Sequence, residues 1–183
     1  MYYDNEPNYD LYEPEPPERF NYVDDITTPV DPTLLSQRVV QQLQTRLTQI
    51  PDDTPKMVEE LCKGFNKSIE LNNRSSEEPA ETHVFSPKTG SAKSLTAKMY
   101  IALLQKEASI IVVSTIEDAL EYCRDINNWS NDPNYARCYY SLKGNHPNDP
   151  LRVNKDALLL HRCIVITHQM FLIENQRSGY SDF

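Results

Sequence analysis

The sequence predicts a mainly α fold, a compact bundle of about five helices behind an acidic amino-terminal arm. Three observations carry this. Apolar residues recur at gaps of three and four over most of residues 32–177, negative charge is concentrated ahead of them, and 13 prolines stand against only 4 glycines. At 183 residues the chain has room for one ordinary domain plus a tail. Its 39% hydrophobic share and mean hydropathy of −0.62 imply that part of it buries little.

The arm comes first. Residues 1–31 hold Asp4, Glu6, Asp10, Glu13, Glu15, Glu18, Asp24, Asp25 and Asp31 against Arg19 alone, so −8 of the formal −9 lies in the first sixth of the chain. The body, residues 32–183, is nearly balanced. Like charges repel, Pro7, Pro14, Pro16, Pro17 and Pro29 remove backbone donors, and no helical or strand period is present. The arm is therefore expected to be disordered alone, with polyproline-like stretches near Glu13–Pro17. Aromatic rings spaced through acidic chain suit docking: the rings bury area and the charge steers toward a basic surface. Tyr3, Tyr9, Tyr12, Phe20 and Tyr22 are the partner-binding candidates. The expected partner is a protein with a basic or aromatic-accepting groove. A merely solubilising tail would need no such set of tyrosines.

The helical domain at 32–177 follows element by element, with 178–183 as a short tail. Asp31 caps a helix from Pro32 to Ile50, whose stripe is Leu34, Leu35, Val39, Val40, Leu43, Leu47 and Ile50. Thr54-Pro55 opens a second, with Met57, Val58, Leu61, Cys62, Phe65 and Ile69 inward and Asn72-Asn73 at its end. Residues 72–90 read as a loop around a short extended piece at Val84-Phe85. Ser91 to Ala108 reads as a third helix, with Leu95, Met99, Ala102 and Leu103 inward and Lys93, Lys98 and Lys106 facing solvent. Residues 110–113 (Ile-Ile-Val-Val) fit either a buried strand or a helix core. Ser114 or Thr115 caps a helix with Ile116, Ala119, Leu120, Cys123 and Ile126 inward, and 127–134 reads as loop. Residues 135–143 fit a helix or a strand. Asn154 caps the last and most apolar segment, read as the central helix. Its Leu159, Ile166, Met170 and Ile173 are candidates for the core or for an oligomer interface.

Composition and spacing exclude several functions. The acidic balance argues against direct binding of nucleic acid or of an anionic membrane. The first thirty residues contain no apolar run, and Leu158–Ile173 is broken by His161, Arg162, His168 and Gln169. Neither a secretory segment nor a membrane span is expected, which points to an intracellular protein, cytoplasmic or nuclear. No GxxxxGK[ST], GxGxxG, HExxH, CxxC or GxSxG pattern occurs. On one helix, His161 and Cys163 would point to opposite sides, and His161 and His168 would lie about 10 Å apart, so zinc is not expected. Cys138 with His146 is a formal thiol–base pair without a third group to orient it. Cys62, Cys123, Cys138 and Cys163 read as buried thiols. Lys88, Lys93 and Lys98 flank Thr89-Gly90-Ser91, a basic cluster able to meet phosphate, RNA or the acidic arm, and read here as an exposed loop leading into a helix.

No catalytic residue, metal or cofactor is expected. The reading is a non-enzymatic assembly or adaptor subunit that docks through its arm and folds or homo-oligomerises through its apolar last segment. Small regulatory subunits and viral structural or phosphoprotein-like polypeptides share this layout. A transcription regulator with an acidic activation segment, or a small thiol enzyme using a Cys/His pair, are the alternatives.

Overall fold

A computed structural model of the chain describes residues 28–72, 92–104, 108–141 and 148–178. The candidates Tyr3, Tyr9, Tyr12, Phe20 and Tyr22, the piece at Val84-Phe85, Lys88 and His146 lie outside those residues. The described part is mostly helical and contains a small three-stranded parallel sheet. In chain order it comprises α1 (Pro32–Gln44), α2 (Thr54–Asn72), α3 (Lys93–Leu103), β1 (Ser109–Val113), α4 (Ile116–Ser130), β2 (Ala136–Tyr139), a 3-10 helix (Lys155–Leu160), β3 (Cys163–Thr167) and α5 (His168–Ser178).

Local chemistry explains the helix starts. The Asp31 carboxylate accepts from the Thr33 N–H at 2.8 Å, with Pro32 in the first helical position. The Thr115 hydroxyl accepts from the Asp118 N–H at 3.0 Å, with Glu117 and Asp118 in the first turn of α4. Helix α1 stops at Gln44 instead of reaching Ile50. The Thr45 hydroxyl donates to the Gln42 carbonyl at 2.7 Å, and Leu47 is left exposed. Helix α3 ends at Leu103, and α4 runs on through Asn127 to Ser130 where a loop was expected.

The largest correction concerns the apolar stretch after Asn154. It is not one central helix but a 3-10 helix, the middle strand β3 and the start of α5. A strand buried on both faces of a parallel sheet needs an unbroken apolar run, and the branched residues Ile164-Val165-Ile166-Thr167 suit it better than a helix. The strand reading holds at 110–113 and, within 135–143, for Ala136–Tyr139. These two do not pair with each other. The order is β1-β3-β2, with Ile111 opposite Val165 and Cys138 also opposite Val165.

Alternation distributes the strand side chains between two layers. Val113, Ala136, Cys138, Cys163 and Val165 pack against Ala119, Leu120, Cys123 and Ile126 of α4. On the other face, Tyr139, Ile164 and Ile166 meet Leu158, Met170 and Phe171. A separate cluster joins α1, α2 and α3 through Leu35, Val39, Val58, Cys62, Leu95 and Met99. Ile166 is thus core, Met170 and Ile173 are half-buried, and Leu159 is 65% exposed. Lys98, expected in solvent, is 4% exposed. Its ammonium bonds Asp125, lies 3.1 Å from Glu121 and sits 4.7 Å from the Tyr122 ring centre, so two carboxylates and an aromatic face replace its water.

Candidate functional site

Ligands of open parallel sheets gather outside the carboxyl ends of the strands. In this molecule that edge carries a cleft of about 550 Å³. Ser114 and Thr115 reach it from the end of β1, Tyr140 and Ser141 from the end of β2, and Thr167, Gln169 and Met170 from the end of β3. Ser114, Thr115, Ser141 and Thr167 bring hydroxyls to the walls beside the apolar Ile116, Met170 and Ile173, with one carboxylate from Glu117 in the first turn of α4. Thr115 caps α4, and Thr167 accepts from the Met170 N–H at 3.3 Å, which turns the chain from β3 into α5. Tyr140 is 1% exposed; burial, then the Asp149 carboxylate, raises its phenol above the ordinary range. Its carbonyl accepts from the Arg152 guanidinium at 3.3 Å.

Helix α3 begins at the same edge. Its last turn lies beside the start of β2, where the Tyr135 hydroxyl donates to the Ile101 carbonyl at 2.9 Å and also bonds the Leu104 carbonyl. The helix therefore descends antiparallel to the strands, side by side with α4, to which Lys98 binds it. Its amino end is formed by Ala92, with φ 56° and ψ 20°, followed by Lys93 and Ser94. The left-handed region costs a residue with a Cβ about 1–2 kcal/mol and is the habit of glycine. A phosphate loop of the form Gly-x-x-x-x-Gly-Lys-Ser/Thr places glycine at this position, just before its lysine. Here the run Thr89-Gly90-Ser91-Ala92-Lys93-Ser94 keeps the Lys-Ser pair, has Ala92 for the second glycine and Pro87 for the first. Residues 87–91 lie outside the described part. The run departs from the pattern at both glycines, and only its Lys-Ser pair fits. Lys93 is exposed at the helix start, whereas Lys98 of the same cluster serves the α3–α4 contact.

The thiols are buried as their sequence positions suggest, whereas the histidines and Cys163 do not share the helix expected for them. All four cysteines are free and buried. The Cys123 and Cys138 Sγ atoms are 2.8 Å apart, and the Cys138 thiol donates to the Ala119 carbonyl at 3.1 Å. Burial pushes the Cys62 thiol up to about 11 and Cys163 up to about 12, and it raises Cys123 further still. Buried thiols held protonated in this way are poor nucleophiles. Cys163 lies in a strand rather than a helix. His161 follows the 3-10 helix and His168 opens α5, so they do not share a helix face. His161 Nδ1 lies 3.2 Å from the Asn134 carbonyl, and burial lowers its pKa. Among the described residues, no group of three or more His, Cys, Asp or Glu could hold a metal ion. No helix among them is long and apolar enough to cross a membrane.

Comparison with known proteins finds no matching family model, no matching curated protein and no matching solved structure.

Proposed function

We propose that this chain is a binding subunit that holds a nucleotide-like ligand at the carboxyl edge of its sheet. One observation carries the reading: α3 and α4 present their amino ends at that edge, one opening with left-handed Ala92 and Lys93-Ser94, the other beside the hydroxyl-lined cleft. Amino-terminal N–H groups and an ammonium favour phosphate, and clustered hydroxyls suit the polar body of a sugar. Calorimetric titration with ATP, ADP and inorganic phosphate tests it. Saturable binding is expected, weakened at least tenfold by Lys93→Ala and by Ser141→Trp, which fills the cleft. Heatless titrations with all three ligands at millimolar concentration would sink the reading.

A second reading concerns the arm and rests on the −8 carried by residues 1–31 with five tyrosines. It makes the chain a non-enzymatic assembly or adaptor subunit that docks a protein partner. Co-purification from the native source should lose that partner when residues 1–31 are deleted. Retention of every partner would move the interaction to the body.

A further inference from the structure

We propose that Cys123 and Cys138 form a redox modification site, two thiols that close into a reversible disulfide between α4 and β2 when a peroxide oxidises them. The inference stands independently of the nucleotide reading. The two Sγ atoms lie 2.8 Å apart in the layer between the sheet and α4, and both side chains are fully buried. A disulfide bond measures about 2.05 Å, so closure asks for roughly 0.8 Å of movement, which small side-chain rotations supply.

The fold holds both partners in place. The helical period puts Cys123 one turn after Ala119 on the inward face of α4. Cys138 meets both: its thiol donates to the Ala119 carbonyl at 3.1 Å, and its sulfur faces Cys123. A thiol has one proton, and that of Cys138 is committed to Ala119. The proton in the contact between the sulfurs therefore belongs to Cys123. The Cys138 backbone is fixed on both sides. It pairs opposite Val165 of β3, its N–H donates to the Leu151 carbonyl at 2.8 Å, and its carbonyl accepts from the Val153 N–H at 2.9 Å. Cys163 supplies an internal comparison. It is equally buried in the same layer, but stands opposite Ala136 in the sheet.

The chemistry balances with hydrogen peroxide as oxidant. One sulfur attacks a peroxide oxygen, the O–O bond breaks, and a water leaves with that thiol's proton, giving a sulfenic acid. The other sulfur then attacks the sulfenic sulfur, the S–O bond breaks, and a second water carries off the second proton. The two sulfurs lose two electrons in all, and the two peroxide oxygens gain them. Burial keeps the Cys123 thiol protonated, so the reaction is expected over hours rather than seconds. Once made, the bond ties α4 to the sheet, and the redox state sets how firmly that layer is held.

Peroxide treatment of the native full chain at about pH 8, followed by alkylation in denaturant and peptide mass mapping, tests the site. The monomer should lose the mass of two hydrogens, one peptide pair should join positions 123 and 138, and Cys62 and Cys163 should still alkylate. Dithiothreitol should restore all four thiols. The oxidised form should melt about 5 °C or more above the reduced form, because the bond closes a chain segment 15 residues apart. Cys163→Ala should leave the yield of the bond unchanged. A disulfide through Cys62 or Cys163, a covalent dimer, a sulfinic acid in place of the bond, or no mass change after hours of treatment overturns the proposal. So does an oxidised form that melts below the reduced one.

Discussion

The helical half of the molecule, α1 to α3, and the sheet half, β1 to α5, are each tied together by one asparagine, but in different ways. Asn66 is half-buried. Its amide donates to the Val30 carbonyl at 2.8 Å, and its carbonyl oxygen accepts from the Val30 N–H at 3.1 Å and the Tyr100 hydroxyl at 2.9 Å. It joins the segment entering α1 to α2 and α3. Asn127 is 9% exposed, accepts from the Ala136 N–H at 2.6 Å and donates to the Ala136 and Pro133 carbonyls. It fixes α4 to the strand that α4 precedes. In the helical half the backbone satisfies itself within each helix, and side chains merely register the helices. In the sheet half the backbone depends on distant strands, so losing a side chain that holds them leaves polar groups buried without partners.

The strongest way to break the comparison is to charge the centre of the sheet. Ile166→Asp should destabilise by about 3–5 kcal/mol, since it buries an unpaired carboxylate between two layers. Leu159→Asp, only seven residues earlier, should stay within about 0.5 kcal/mol. Urea titrations of both variants check this, and equal losses would mean that β3 is not the core. Next, Asn127→Ala should cost about 2–3 kcal/mol and Asn66→Ala about 1–2 kcal/mol, because the second site can admit water to the orphaned groups. The reverse order by the same titration would remove the contrast between the halves.

Alkaline pH sharpens it differently. Thiols whose folded pKa is raised stay protonated in the native state while ionising in the unfolded chain. The native state then binds more protons, and stability falls as pH climbs from about 9 toward the folded values. Two of the three thiols shifted in this way, Cys123 and Cys163, lie in the sheet half. Melting temperatures should decline from pH 9 to 11. Cys163→Ala, shifted toward about 12 in the native state, should flatten that decline more than Cys62→Ala, shifted to about 11. A flat profile would mean that the thiols are open to solvent. The smallest effect is a gain: Ala92→Gly should stabilise by about 1 kcal/mol, as glycine accepts φ 56° without a Cβ clash. A loss on thermal melting would show that Ala92 is not left-handed in solution.

Much of this was legible in the residues. The cap at Asp31, the stripe of α2, the Thr115 cap and the inward face of α4 are local matters, decided by side chains within one or two turns. The candidate cleft was not legible, because Ser114, Ser141 and Thr167 are brought together only by strand order. Nor was the role of Lys98, whose period placed it on a solvent face until α4 covered it with Glu121 and Asp125.

What the sequence determined by itself is therefore the starts and inward stripes of α1 and α2, the buried thiols and the concentration of charge in residues 1–31. Each follows from short-range spacing or composition. Only the tertiary structure decided that Leu158 to Ile173 splits into a 3-10 helix, a strand and a helix. A continuous run of Ile, Val and Leu satisfies a buried helix and a doubly covered strand equally well in apolar burial. The choice falls to the backbone partners supplied by β1 and β2, some 30 to 50 residues away.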